Sequence, residues 1–434
     1  MPQQIQIPND SGTNILNAID KMDTDIVAAL GSIGGSETVS RTIYVTTTGN
    51  DTTGDGTIGL PFLTIGKAIS TVKKVINPQV TITINIGIGT FTMTDTDFNK
   101  LGLITGYGVI NFQGNLVLVE SGFIMGAALP LDPVTFSVSG GNTAIWTLDQ
   151  WKFFFLKSGA NYIPITANKL TPTLSIAGTA TGTEIYQAQT IIEVSTGIGI
   201  NLYQSNTIQF RQVQMNFLAQ SLNINNTTIL FEYSNIKNNT ANNTINFQYF
   251  CKPSFRYCGI DNWNIIGKYF YTAFVSCYHY LNRNNPIIQL VSTTYGINVL
   301  TNCVYENPNV SASAVGIFIG QGGTFYSQSS SYLKFQNCNC GISFTSDCKF
   351  RFNYPTNDKI ILDNTNYLAK KQVTTDSDFL PSVLYFPSIT NILGLPVIRW
   401  FFNNMMEFIN IKSGRNIQID GLIYPEIETT KNVA

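Results

Sequence analysis

Carboxylates suited to proton-transfer chemistry are few and scattered. Between about residues 207 and 355 they are Glu232, Asp261, Glu306 and Asp347, and no Asp-Asp pair occurs anywhere in the chain. A general acid and a general base must face one bond together. No local spacing here pairs two acids, so chance placement is the plainer reading. Lys268 and Arg283 are the cations that would serve as a base beside such a cluster. Tyr278-His279-Tyr280 follows Cys277, which sets a thiol beside the single histidine. Nucleophilic catalysis there would need an orienting acid as well, and a histidine in an aromatic strand is more often packed than catalytic. Seven cysteines without a C-x2-4-C pair offer neither a disulfide framework nor a thiolate zinc pattern. No metal and no cofactor is expected. Asn50, Asp51 and Asp55, with Gly54 and Gly56, supply oxygens suited to Ca2+. They lack the EF-hand spacing and read as a tight turn.

Recognition is the other chemistry on offer. From Phe247 to Asn285, Trp263, Tyr269, Tyr271, Tyr278 and Tyr280 interleave with Asn262, Asn264, Asn282, Asn284 and Arg283. Flat apolar faces rimmed by hydrogen-bonding groups suit a sugar or protein surface. The alternative is that these rings are core.

The elements that must position such residues begin at Arg41. A short strand around Tyr44-Val45 leads into a Gly/Asn/Asp loop, whose residues tolerate positive φ and bond nearby amides. Ile65, Ala68, Ile69 and Val72 recur at helical spacing on one face. Val80 to Ile88 then alternates apolar and polar, the pattern of a half-buried strand.

From about Thr207 to Pro355 short strands such as Ile208-Gln209-Phe210 and Ile229-Leu230-Phe231 recur between Asn-rich turns. A small residue follows several of them, at Ser234, Cys258, Cys277, Cys303 and Cys338. That pattern suggests stacked coils with one longer loop around 310–330. Val109–Phe112 and Leu116–Val119 read as early coils, and the region around 135–200, with Trp146, Trp151 and Phe153-Phe154-Phe155, as a lateral insertion or long loops.

Ahead of this body, Ile15, Ile19, Met22, Ile26, Ala29 and Ile33 form an a/d seam. A segment so short needs a neighbour to brace it, so an oligomeric stem or a docking peptide is expected. The apolar, proline-punctuated stretch from Phe379 is expected to form a buried C-terminal cap or intersubunit plug.

Composition narrows the function classes. Charged residues are 12% of the chain and net charge is −1, without a Lys/Arg cluster, which disfavours a nucleic-acid partner. The start carries no cationic n-region with a continuous apolar stretch, so no secretory leader is expected. Prolines break the longest late apolar stretch, so no membrane insertion is expected.

The run Tyr44-Val45, Gly49-Asn50-Asp51, Gly54-Asp55-Gly56, Pro61-Phe62-Leu63-Thr64-Ile65 and Gly89-Thr90-Phe91 resembles the N-terminal capping segment of right-handed parallel β-helix proteins, the pectin-lyase-like superfamily. The resemblance covers about fifty residues and implies an all-β solenoid with a short N-terminal helical segment and a C-terminal cap. The expected division is residues 1–40 for docking and oligomerisation through Ile15, Ile19, Met22, Ile26 and Ile33, 41–91 for the cap, 92–378 for the β-helix, and 379–434 for the end cap. With the stem ahead of it, the chain looks like a bacteriophage appendage of the tailspike, tail-fibre or head-fibre type. That implies a homotrimer assembled in the host cytoplasm into the virion, joined to other virion proteins through its N-terminal segment. The expected role is structural, with host surface polysaccharide as ligand for Trp263, Tyr269, Tyr271, Tyr278, Tyr280 and Arg283. The rival is a polysaccharide depolymerase on the same fold, which this superfamily also contains.

Overall fold

The computed structural model describes residues 35–343, save 130–131, 170–172, 179, 196–199, 204–205, 219–220, 226, 239–243, 249–250, 268–271, 291–297, 310–313, 321–323 and 329–331; beyond 343 it describes the strands alone. The heptad seam at Ile15 to Ile33 lies outside these residues, as do Lys268, Tyr269 and Tyr271.

The chain is all-β, and its body is built from parallel sheets that it visits in rotation. Sheet I begins with Arg41–Val45, Thr81–Ile86 and Val109–Gln113, and continues through Thr207–Arg211, Thr228–Glu232, Lys252–Arg256, Thr272–Val275 and Asn298–Thr301. Sheet II contains Gly89–Thr94, Thr190–Ser195, Gln214–Phe217, Asn235–Asn238, Gly259–Asp261, Tyr278–Tyr280, Cys303–Glu306 and Tyr332–Gln336. Sheet III runs from Ile200–Tyr203 through Asn264–Gly267 and Ile288–Leu290 to Ile398–Trp400. From Thr207–Arg211 to Ile288–Leu290 each strand pairs with the one three elements later. The pairing Thr207↔Thr228↔Lys252 in sheet I and Gln214↔Asn235↔Gly259 in sheet II shows the constant step.

Alternation explains the core. In Thr81–Ile86 the residues Ile82, Ile84 and Ile86 are fully buried, while the intervening polar residues are half-exposed. In-register parallel pairing then stacks like on like. Phe112, Phe210, Phe231, Phe255 and Phe274 form one column of rings with centroids 4.8, 5.4, 5.1 and 5.0 Å apart and planes within 12° of parallel.

Two helices lie against the first coils. Thr64 caps Ile65–Ser70, its Oγ1 accepting from the Lys67 amide at 3.1 Å. The Asp51 carboxylate accepts from the Leu63 and Thr64 amides and the Thr64 hydroxyl at 2.8, 3.0 and 2.6 Å. Asn50 Oδ1 takes the amides of Thr52 and Thr53. These oxygens are engaged in turn chemistry, as the tight-turn reading has it. Gly49 sits where a Cβ would be 2.1 Å from the Phe62 carbonyl oxygen, so the loop needs glycine for close approach. A second helix, Asp95–Gly102, was not expected. Thr94 starts it, with its amide and hydroxyl 2.9 and 3.0 Å from Asp97 Oδ2, and it buries Phe98 and Leu101.

The small-residue ladder is real but shorter than the sequence suggested. Ser234, Cys258, Cys277 and Cys303 occupy one corner, between sheets I and II, each with its Oγ or Sγ donating to the carbonyl of Phe210, Phe231, Phe255 or Phe274 in the coil before. The residue before each is left-handed: Tyr233, Tyr257, Ser276 and Asn302 have φ of 50–54°. Cys338 belongs to the next corner, between sheets II and III. Cys303 pairs with Leu333, which places Cys338 beyond the end of its sheet II strand.

The lateral insertion starts earlier than expected. Leu116–Ser121 does not form a coil; it pairs antiparallel with Glu184–Ala188 at one end of a seven-stranded antiparallel sheet. This sheet has its own core, with Trp146 and Trp151 in edge contact at 5.6 Å above Phe123 and Ile165. It leaves the body at the corner between sheets I and II. Gly114 donates to the Arg211 carbonyl and Gln189 to the Asn115 carbonyl across its neck. In the last sixty residues, Val383–Tyr385, Asn391–Leu393 and Ile398–Trp400 continue the parallel pairing, and antiparallel pairs Ile417–Ile419 with Leu422–Tyr424 and Met406–Ile409 with Lys431–Val433 end it. Among the described residues, no helix is long and apolar enough to cross a membrane.

Candidate functional site

The parallel register turns scattered polar residues into a stripe. On sheet II, Glu193, Asn216, Lys237, Asp261, Tyr280, Glu306 and Gln336 are consecutive ladder partners. Strand alternation directs the residues between them, Ile236, Ile260 and Tyr305, into the core. The stripe therefore faces outward, with one side chain per strand at steps of about 4.8 Å.

The insertion closes over part of this stripe. Phe153, half-buried, packs on Tyr278 with centroids 5.0 Å apart, and Val134 and Ala177 join Tyr278 and Val304 in a dry contact. Beside that contact, Lys152 Nζ lies 4.1 Å from the centre of the Tyr280 ring and 3.3 Å from Glu306 Oε2. Glu306 also accepts from the Tyr278 hydroxyl at 2.5 Å and from the Asn337 amide at 3.2 Å. Lys237 covers the Phe153 ring at 5.5 Å.

These contacts decide what the two acids can do. Asp261 and Glu306 flank Tyr280 in register, two strand spacings or about 9.6 Å apart at the backbone. That is close to the separation that inverting hydrolysis uses, about 6.5–9.5 Å between the carboxyl groups. Glu306, however, already holds a phenol, an ammonium and an amide, and it is almost completely buried. It is a latch for the insertion rather than a base poised over a substrate.

Asp261 differs. Burial pushes its carboxyl above the usual carboxylate range, against the pull of Lys237 and Lys152. A carboxyl raised on folding binds its proton more tightly in the native state, so stability falls as pH rises from the unfolded value through the folded one. Replacing it by Asn removes that slope. In urea titrations, wild type is expected to gain on Asp261→Asn as pH drops from about 7 to about 4.5. Parallel behaviour of the two proteins across that range would show that the carboxyl is not raised.

The structure separates the aromatic residues that the sequence grouped. Trp263 is fully buried in the core, edge-on to Phe217 at 5.2 Å. Tyr278 is fully buried beneath the insertion. Neither offers an exposed face: the turn after left-handed Asn262 puts Trp263 inside, and the covering sheet takes Tyr278 from solvent. Tyr280 is half-exposed on the stripe, and Arg283 is partly exposed in the turn that follows. Tyr269 and Tyr271 lie outside the described residues. Lys152, Lys237, Asp261 and Glu306 were not singled out as a site. Their meeting depends on coil register, and Lys152 and Glu306 are 154 residues apart.

Cys277, His279 and Cys303 also come together, with their ligand atoms within 4.8 Å of one another in the core. His279 is packed, as expected of it, between the rings of Phe274 and Tyr305.

No protein-family model and no curated protein matches the chain. Among solved structures it is similar to the GH136 lacto-N-biosidase from Eubacterium ramulus at 10% identity, over 96% of this chain and 71% of that one, with a TM-score of 0.38. It is similar to a structure described as a glycoside hydrolase at 8% identity, over 88% and 96%, with a TM-score of 0.32. The tailspike protein gp49 from Pseudomonas phage LKA1 matches at 11% identity, over 88% and 77%, with a TM-score of 0.26.

Proposed function

We propose that the chain is a right-handed parallel β-helix that serves as a bacteriophage virion appendage, a homotrimer of the tailspike or tail-fibre type that binds host surface glycan. Strands that rotate through the sheets at a constant step support the solenoid, and parallel crossovers are right-handed almost without exception. The observation that carries the glycan reading is the outward stripe on sheet II. A sugar chain lying along the part that the insertion leaves open would meet amide, ammonium and carboxyl in turn, with the portion of the half-exposed Tyr280 ring that Lys152 and Phe153 do not cover as a flat apolar surface. Binding fits this stripe better than hydrolysis does, because the bonds to Glu306 leave Asp261 without a free partner acid. Trimerisation would multiply weak contacts into useful avidity. The segment 1–40 would attach the rod to other virion proteins.

The test uses the purified full chain with host capsule or lipopolysaccharide. Light scattering is expected to give a trimer, and the protein is expected to retain the glycan without shortening it. Tyr280→Ala is expected to weaken retention about tenfold, the order of one desolvated ring contact. New reducing ends or unsaturated uronates would replace this reading with the depolymerase. Undiminished retention by Tyr280→Ala would remove the stripe as the binding surface.

A further inference from the structure

We propose that Cys277, His279 and Cys303 form a buried binding site for one thiophilic divalent cation of the zinc class. Cys277 immediately precedes the strand Tyr278–Tyr280 and, like His279 on it, is fully buried in the core. Tyr278 pairs with Val304, and this places Cys303 beside Cys277 on the next coil. The two Sγ atoms and an imidazole nitrogen lie within 4.8 Å of one another, and all three residues are fully buried.

His279 is the residue that asks for a ligand. Ile260, Tyr305 and Phe335 occupy neighbouring rungs of its column, so an apolar or aromatic side chain would fill this slot. The imidazole is instead stacked on Tyr305 at 4.7 Å and meets the Phe274 ring at 4.9 Å. Neither Nδ1 nor Nε2 has a hydrogen-bond partner of normal geometry. Its polar contact is the Cys303 thiol, which favours the charged ring but is outweighed by burial. A buried polar group left so points to an ion or a special role.

The chemistry balances. Cation binding displaces one proton from each thiol, and two thiolates with a neutral imidazole leave a divalent site without net charge, as a dry core requires. Burial holds both thiols protonated in the absence of an ion, and a bound cation reverses that preference. Zinc–sulfur bonds of about 2.3 Å set tetrahedral ligands roughly 3.8 Å apart, so the donors close by about 1 Å at most. The Phe255 carbonyl, 3.3 Å from Cys277 Sγ, is available for a fourth position. Because the site is enclosed, loading accompanies folding.

The spacing rules miss this site because its two sulfurs come from adjacent coils, 26 residues apart in the chain.

The test refolds the full chain from denaturant with Zn(II), or with Co(II) or Cd(II) as spectroscopic probes. Expected are one ion per chain by native mass spectrometry, a thiolate-to-metal absorption band, and a higher melting temperature than in chelator. His279→Phe keeps the shape of the slot and is expected to lower retained metal at least tenfold and to erase the chelator effect. Cys277→Ala with Cys303→Ala is expected to erase the band, whereas Cys340→Ala, at a buried thiol on sheet III, retains it. Wild type refolded without a thiolate band, or a His279→Phe variant that binds the ion as wild type does, would overturn the assignment.

Discussion

Phe255→Ala is expected to destabilise the fold by about 3–5 kcal/mol, read as a lower guanidinium midpoint with an unchanged slope. Phe255 is fully buried. It is stacked on Phe231 at 5.1 Å and on Phe274 at 5.0 Å, and meets Phe247 edge-on at 6.0 Å. Truncation removes a ring from the middle of a column whose members are fixed by backbone pairing on both sides. The coils cannot collapse into the gap without breaking register, so the cost belongs at the upper end of the large-to-small range. Phe255→Leu keeps most of the volume and should lose far less. Equal losses for Ala and Leu would mean that the column is not a rigid stack.

Glu306→Ala is expected to cost about 3–5 kcal/mol, as breaking a buried pair does when one partner remains. The substitution strands the Tyr278 hydroxyl under the insertion and leaves the Lys152 ammonium without its carboxylate. Burial, the largest cause of the raised Tyr278 phenol, persists when the Glu306 charge is gone, so the phenol cannot relieve the loss by ionising. Lys152→Met would lose less, because Glu306 keeps the bonds it accepts from Tyr278 and Asn337. The double variant should be more stable than the sum of the single losses predicts. Limited proteolysis within residues 140–155 should accelerate in Glu306→Ala alone. Additive losses and unchanged proteolysis would show that Glu306 does not hold the insertion down.

Much of the architecture was legible because it follows from period-two alternation. Ile82, Ile84 and Ile86, and the recurring Ile-x-Phe strands, can bury only one face each. The first helix was legible through the spacing of Ile65, Ala68 and Ile69, and the Gly49–Gly56 loop through turn chemistry that is local. The Asp95–Gly102 helix was overlooked although Thr94 and Asp97 stand at capping spacing. Leu116 to Val119 is an unbroken apolar run whose pattern names no partner, so nothing local reveals that it pairs with Glu184–Ala188. Cys338 was read into the wrong column because coil length is not constant. The site was hidden for the same reason: Asp261, Tyr280 and Glu306 become neighbours only through the register of three strands.

The neck of the insertion has a consequence for how such a chain can vary. Val109 pairs with Thr81 on one side and with Thr207 on the other, in the same register as if the inserted residues 116–188 did not exist. Asn115 and Gln189 fasten the exit and return points to each other and to the Ile86 carbonyl. The parallel body is thus indifferent to what is carried at this branch. A different head could be exchanged there in evolution or by design, and the stack above and below would keep its alignment.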